Sequence, residues 1–145
     1  MRQIKFRAWD NQKKKMILDV GVFDNMAVLE PQYVYDSPER QIVELKGSIL
    51  MQFTGLLDKN GKEIYEGDIV STSFWYHGSE KTEFIEKPLI GQVQYWGECH
   101  GSYNLLDKTG GSIPIEWACH KNDGWKIYGE IIGNIYENTE LLENK

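Results

Sequence analysis

The stretch from Met51 to Phe74, MQFTGLLDKNGKEIYEGDIVSTSF, limits the fold more than any other part of the chain. Met51, Phe53 and the pair Leu56-Leu57 lie before Asp58-Lys59-Asn60-Gly61. Asn-Gly between apolar segments is a strong hairpin signal, because both residues tolerate a positive φ at low cost. The chain is therefore expected to fold back there and bring Ile64 and Tyr65 against Phe53 and its neighbours. Gly67 then permits a second sharp turn, and Ile69-Val70 open a strand that runs to Trp75 or Tyr76. Strand, turn, short segment, turn and strand within 24 residues is a β signature.

The rest of the sequence repeats that pattern. Ile4, Phe6 and Ala8 alternate with Gln3, Lys5 and Arg7, which predicts a half-buried strand with a basic outer face. Asp10-Asn11-Gln12 is a turn, and Lys13-Lys14-Lys15 is read as a solvated hairpin tip leading into a strand at Met16–Leu18. Val20, Val22 and Phe23, the cluster Tyr33–Tyr35, and Ile42, Val43 and Leu45 are strand-like. Ser37-Pro38 suits the start of a short helical turn. Residues 77–88 (HGSEKTEFIEKP) are polar and read as a long exposed loop or hairpin. Gly91–Trp96 alternates cleanly, with Val93 and Tyr95 inward, and Tyr103–Leu106 forms the next strand. Asp107–Gly111 is a turn, after which Ile113, Ile115 and Trp117 share a face. Pro114 lacks an N–H, which makes that strand an edge or a bulged one. Trp125, Ile127 and Ile131–Tyr136 give the last strands, and Asn138 is placed to cap a short C-terminal helix carrying Leu141-Leu142. The expected architecture is mainly β, a small barrel-like folded sheet of short antiparallel strands with a short C-terminal helix, in one domain over residues 1–145.

Three segments carry a resemblance to a known family. The run FTGLLDKNGKEIYEGDIV (Phe53–Val70) resembles the hallmark of the YopX family of phage and prophage proteins. The opening MRQIKFRAWD (Met1–Asp10) and the closing IGNIYENTELL (Ile132–Leu142) are similar to that family's two ends. The resemblance thus covers nearly the whole chain, apart from the regions around 20–48 and 77–88. It implies a β-rich, barrel-like fold and a phage or prophage origin, and it implies no assigned activity and no catalytic residues.

Composition narrows the function. A hydrophobic share of 41% argues against disorder, and 145 residues suffice for a buried core. The net charge of −6 weighs against nucleic-acid binding that ignores sequence, which needs Lys and Arg facing phosphates. No apolar run is long enough for a membrane helix, and Arg2, Lys5 and Arg7 are followed by no apolar signal segment. Two cysteines without a secretion signal fit a reducing bacterial cytoplasm and no structural disulfide.

Candidate sites are few. Cys99-His100 and Cys119-His120 supply four ligands of the kind zinc prefers. Their spacing lacks the usual gap within each pair, and adjacent strand residues point to opposite faces, so structural cysteines and surface histidines are the simpler reading. Glu63, Glu66 and Asp68 bracket the central turn and read as turn chemistry. Gly110-Gly111 has no helix behind it to hold a phosphate. His77, His100 and His120 are the only histidines, and no nucleophile motif accompanies them. An enzyme is therefore the weaker alternative. Among Trp9, Trp75, Tyr76, Trp96 and Trp125, most are expected in the core. Trp75-Tyr76 is the preferred exposed binding pair, because neighbours on a strand cannot both face one core. The resulting expectation is a non-enzymatic module that binds a protein partner or itself. A nucleic-acid accessory role through Lys5, Arg7, Lys13, Lys14 and Lys15 is the alternative, and no membrane partner is expected.

Overall fold

The structure is a computed structural model and describes residues 3–23, 26–29, 43–77, 84–97, 102–120, 122 and 125–143. It is mainly β, with a curled sheet and very little helix. Two compact units divide the chain at Phe53/Thr54.

In the first unit, β1 (Phe6–Asp10) pairs antiparallel with β2 (Lys15–Ile17), with Ala8 opposite Ile17. A separate three-stranded sheet holds β3 (Gly21–Phe23), β4 (Met26–Leu29) and β5 (Val43–Glu44) in that order. The other edge of β1 is covered by the first half of β6 (Ser48–Leu57), with Ala8 opposite Leu50. Ala8 and Val20 are buried, with Phe6, Ile17, Leu45 and Leu50 packed on them. The expected alternation along β1 does not hold. Arg7, Ala8, Trp9 and Asp10 are all buried, while Ile4 is exposed. A strand paired on both edges and covered on both faces loses the in-and-out pattern of a half-buried one. The Tyr33–Tyr35 cluster and the helical turn at Ser37-Pro38 lie outside the described residues.

In the second unit, Gly55 adopts a φ of 87° and Thr54 Oγ1 accepts the Leu56 amide, while donating to Ile64 O at 2.8 Å. The chain turns at Asp58–Gly61 into β7 (Glu63–Tyr65), the neighbour of β6. Here one detail differs from the expected turn. Only Gly61 is left-handed, at φ 83°, with its amide 2.9 Å from Asp58 O and the Asp58 amide 2.8 Å from Lys62 O. This is a type I turn closed by a left-handed glycine rather than a two-residue turn with both φ positive. Gly67, at φ 81°, makes the second turn into β8 (Asp68–His77).

β8 is followed by β9 (Phe84–Trp96), β10 (Ser102–Asp107), β11 (Ser112–Pro114) and, later, β12 (Glu130–Asn134). Their order in the five-stranded sheet is β11-β10-β9-β8-β12. β11 is an edge, as Pro114 requires. Of the polar segment read as an exposed loop or hairpin, His77 and Phe84–Pro88 are strand and pair antiparallel as β8 and β9, and residues 78–83 lie outside the described residues. Ile64, Val70, Val93, Tyr103, Leu105, Ile115, Ala118 and Ile127 form the core of this unit.

Three sequence expectations change here. Ile115–Ala118 is a 3-10 turn, so Ile115 is buried while Trp117 is 52% exposed, and the two do not share a strand face. The C-terminal helix is a single 3-10 turn, Thr139–Leu142. Asn138 precedes it without capping it, because its Oδ1 accepts the Asn134 amide instead. The tryptophans are mostly outside the core: Trp9 is buried, whereas Trp75, Trp96, Trp117 and Trp125 are exposed.

Candidate functional site

The register of β8 creates an unusual feature. Its partner β12 faces it only through Asp68–Ser71, and β10 faces β9 only from Gly91 to Trp96. Beyond those limits β8 and β9 pair only with each other among the described residues, from Thr72 opposite Leu89 to His77 opposite Phe84. The result is a two-stranded ribbon. Phe74 and Tyr76 follow Val70 and Thr72 on the inner face, and Ser73 and Trp75 lie on the outer face. Phe74 is buried between the rings of Tyr76 and Trp117, with centroids 6.0 and 6.4 Å away. Trp75 is 40% and Tyr76 37% exposed, so both faces of the ribbon carry an accessible aromatic side chain. Ile85, Glu86, Lys87 and Pro88 opposite them are exposed as well. Ser73 Oγ donates to Glu86 Oε1 at 2.6 Å and ties the two strands together on the outer face.

The other candidates are distributed differently. Lys13, Lys14 and Lys15 are exposed at the β1–β2 turn, with Lys14 held at φ 51°. The Asp10 carboxylate accepts the Gln12 and Lys13 amides there, both at 2.9 Å. Arg7 is buried and does not extend this lysine turn into a basic face, and Lys5 lies 5.8 Å from the centre of the Phe53 ring. Cys119 packs against the core with Sγ 3.6 Å from Ile115 O, while the His120 ring lies 4.0 Å from that of Tyr128. Cys99 and His100 lie outside the described residues. Among the central carboxylates, Asp68 accepts the Tyr65 amide at 2.8 Å and Glu63 accepts the Tyr65 hydroxyl at 2.9 Å. A cleft of about 430 Å³ lies between Pro88, Leu89, Ile90 and the Leu141-Leu142 turn, with Asp107–Thr109 on its rim. No helix among the described residues is long and apolar enough to cross a membrane.

The rim carboxylate is committed to its own turn. Asp107 Oδ1 accepts the Thr109 hydroxyl at 2.6 Å, the Thr109 amide at 2.8 Å and the Gly111 amide at 2.9 Å. The Thr109 hydroxyl is the main reason its pKa lies below the ordinary value, helped by the two amides and by Lys87 and opposed by desolvation. A depressed folded pKa contributes stability above the unfolded value and loses it as the pH falls through the folded one. The turn should therefore be unchanged between about pH 5 and pH 8 and loosen only below about pH 4. Carboxyl NMR of Asp107 checks this, and Thr109→Val should move the titration toward higher pH.

The model of the YopX protein family matches residues 5–143. The chain belongs to the YopX family. Membership implies a protein of the phage and prophage type and assigns no activity. The YopX chain is also similar to a solved structure, the crystal structure of protein EF1440 from Enterococcus faecalis. That match has 28% sequence identity and a TM-score of 0.61, and it covers 99% of this chain and 100% of the other. The comparison with curated proteins gives no match.

Proposed function

We propose that this YopX protein is a non-enzymatic interaction module acting in the cytoplasm of a bacterial host, and that the β8–β9 ribbon is its contact surface. The observation that carries the reading is the simultaneous exposure of Trp75 and Tyr76 on opposite faces of a ribbon that no other described strand pairs with. Large aromatic side chains supply most of the energy at protein contacts when water is excluded from them. A two-stranded ribbon has little stability of its own, so a partner that covers it also rigidifies it.

A second reading, nucleic-acid association, is supported by the exposed Lys13–Lys15 turn. It loses strength from the burial of Arg7 and the net charge of −6.

Affinity capture from the host, with and without nuclease, separates the two. The expected result is a protein partner whose recovery survives nuclease and falls about tenfold or more when Trp75 and Tyr76 are both changed to serine. Recovery that vanishes with nuclease, and on changing Lys13, Lys14 and Lys15 to glutamate, would put nucleic acid in first place.

A further inference from the structure

The two long edges of the ribbon are not equivalent. Pro88 sits opposite Ser73. Proline has no N–H to offer, so this must be a non-hydrogen-bonded pair, in which both residues turn their backbone groups outward. Alternation makes Phe74–Lys87 a hydrogen-bonded pair and Trp75–Glu86 another non-hydrogen-bonded one. The same count turns Ser71 outward, and its carbonyl oxygen is indeed the atom that lies against Gly129 on the β12 side. The outward backbone groups therefore belong to Ser73, Trp75 and His77 on β8, and to Phe84, Glu86 and Pro88 on β9.

The β9 edge is guarded. One of its outward amides is missing at Pro88, and Glu86 and Lys87 are charged and exposed. Proline and charge are the devices that stop a strand edge from pairing. The β8 edge has neither. Thr72–Tyr76 reads TSFWY, five residues rich in β-formers, without a charge or a proline.

Resting on the interaction-module reading, we infer that the occupant of the β8 edge is the same edge of a second copy, paired antiparallel about a twofold axis. With Phe74 on the axis, Ser73 of each copy faces Trp75 of the other. That register satisfies the outward amides and carbonyls of Ser73 and Trp75 on each edge, because these residues meet as hydrogen-bonded pairs, and the seam ends there, since Ser71 is already paired with Glu130 on β12. It also sets large against small. Trp75 lies beside Ser73 on the outer face. The stretch is neutral, so two copies with a net charge of −6 each can approach here without charges opposed across the seam. The contact is isologous and closes at two copies, since each chain uses its one open ribbon edge.

The test is sedimentation velocity from about 1 to about 500 µM, a range that detects the modest affinity of a short strand pairing. The wild-type chain should pass from monomer to dimer, with the Ser73 and Trp75 amides slowing in hydrogen exchange as the dimer forms. Ser73→Pro removes the outward N–H and mirrors the proline already opposite it, a placement an edge strand tolerates. It should weaken dimerisation about tenfold or more. Trp75→Lys, at an exposed position, should do the same by placing charge on the edge and serves if the proline variant does not fold. A wild-type chain that stays monomeric overturns the inference. So does a dimer that persists in a folded variant, or one whose Ser73 and Trp75 amides exchange freely. A monomer that still captures a nuclease-resistant partner through Trp75 and Tyr76 removes the self-pairing and leaves the interaction-module reading intact.

Discussion

Gly129→Ala is expected to destabilise the chain by about 3–5 kcal/mol, among the largest effects a single methyl group can have. A Cβ at this position would meet the Ser71 carbonyl oxygen and come within 2.5 Å of both Thr72 Cα and Thr72 Cβ. Two of these three atoms are backbone, so no side-chain rotation relieves the contact. Nor can Gly129 easily withdraw. Its carbonyl accepts the Lys59 amide at 2.9 Å, and the next residue, Glu130, is already paired with Ser71 on β8. The neighbouring Tyr128 amide is fixed to Ala118 O at 2.9 Å. Moving residue 129 outward would pull on all three. The segment crosses β8 where β12 pairing ends, so the unpaired ribbon begins at this glycine. Thermal unfolding should show a fall of about 10–15 °C for a chain of this size. A fall of only a few degrees would mean that the β8 crossing relaxes far more readily than its hydrogen bonds suggest.

The sequence offers Gly129 as a kink between the last strands but not as a close contact, because the atoms that exclude a side chain are more than fifty residues away. What it did make legible was local. Asp58–Gly61, Gly67 and Asp107–Gly111 are turns because aspartate and glycine solve the turn's problem within a few residues, by accepting amides and by adopting positive φ. Pro114 marks an edge for an equally local reason. Alternation failed where burial is set by neighbours. Arg7 and Trp9 are buried because β1 is covered on both faces, and Trp117 is exposed because a 3-10 turn rotates it away from the line of Ile113 and Ile115. That Trp75 and Tyr76 lie on opposite faces followed from strand geometry alone, whereas the exposure of Tyr76 on the face of buried Phe74 did not. The difference between the two ribbon edges did not, since it depends on Ser73 standing opposite Pro88.

Asp58→Ala is expected to be the second severe change, at about 3 kcal/mol, although the residue looks like an ordinary turn aspartate in the sequence. The side chain is only 1% exposed. Its Oδ1 accepts the Asn60 amide at 2.8 Å and the Lys62 amide at 2.9 Å, as Asp107 Oδ1 does for Thr109 and Gly111 in the equivalent turn. The difference lies in Oδ2, which accepts the Ile131 amide of β12 at 3.2 Å, from a residue 73 positions along the chain. One carboxylate thus closes the central turn and anchors the strand that flanks β8. Alanine leaves three donors without their acceptor, and a part-buried donor left unsatisfied costs about 1–3 kcal/mol. Asp58→Asn keeps one acceptor oxygen and should lose less, about half as much. Chemical denaturation of the two variants beside Asp107→Ala checks the argument. If Asp58→Ala costs no more than Asp107→Ala, the link to β12 adds nothing and both aspartates only shape their turns. A clearly larger cost, with faster exchange at the Ile131 amide, means that the central turn also holds the sheet edge on which the ribbon depends.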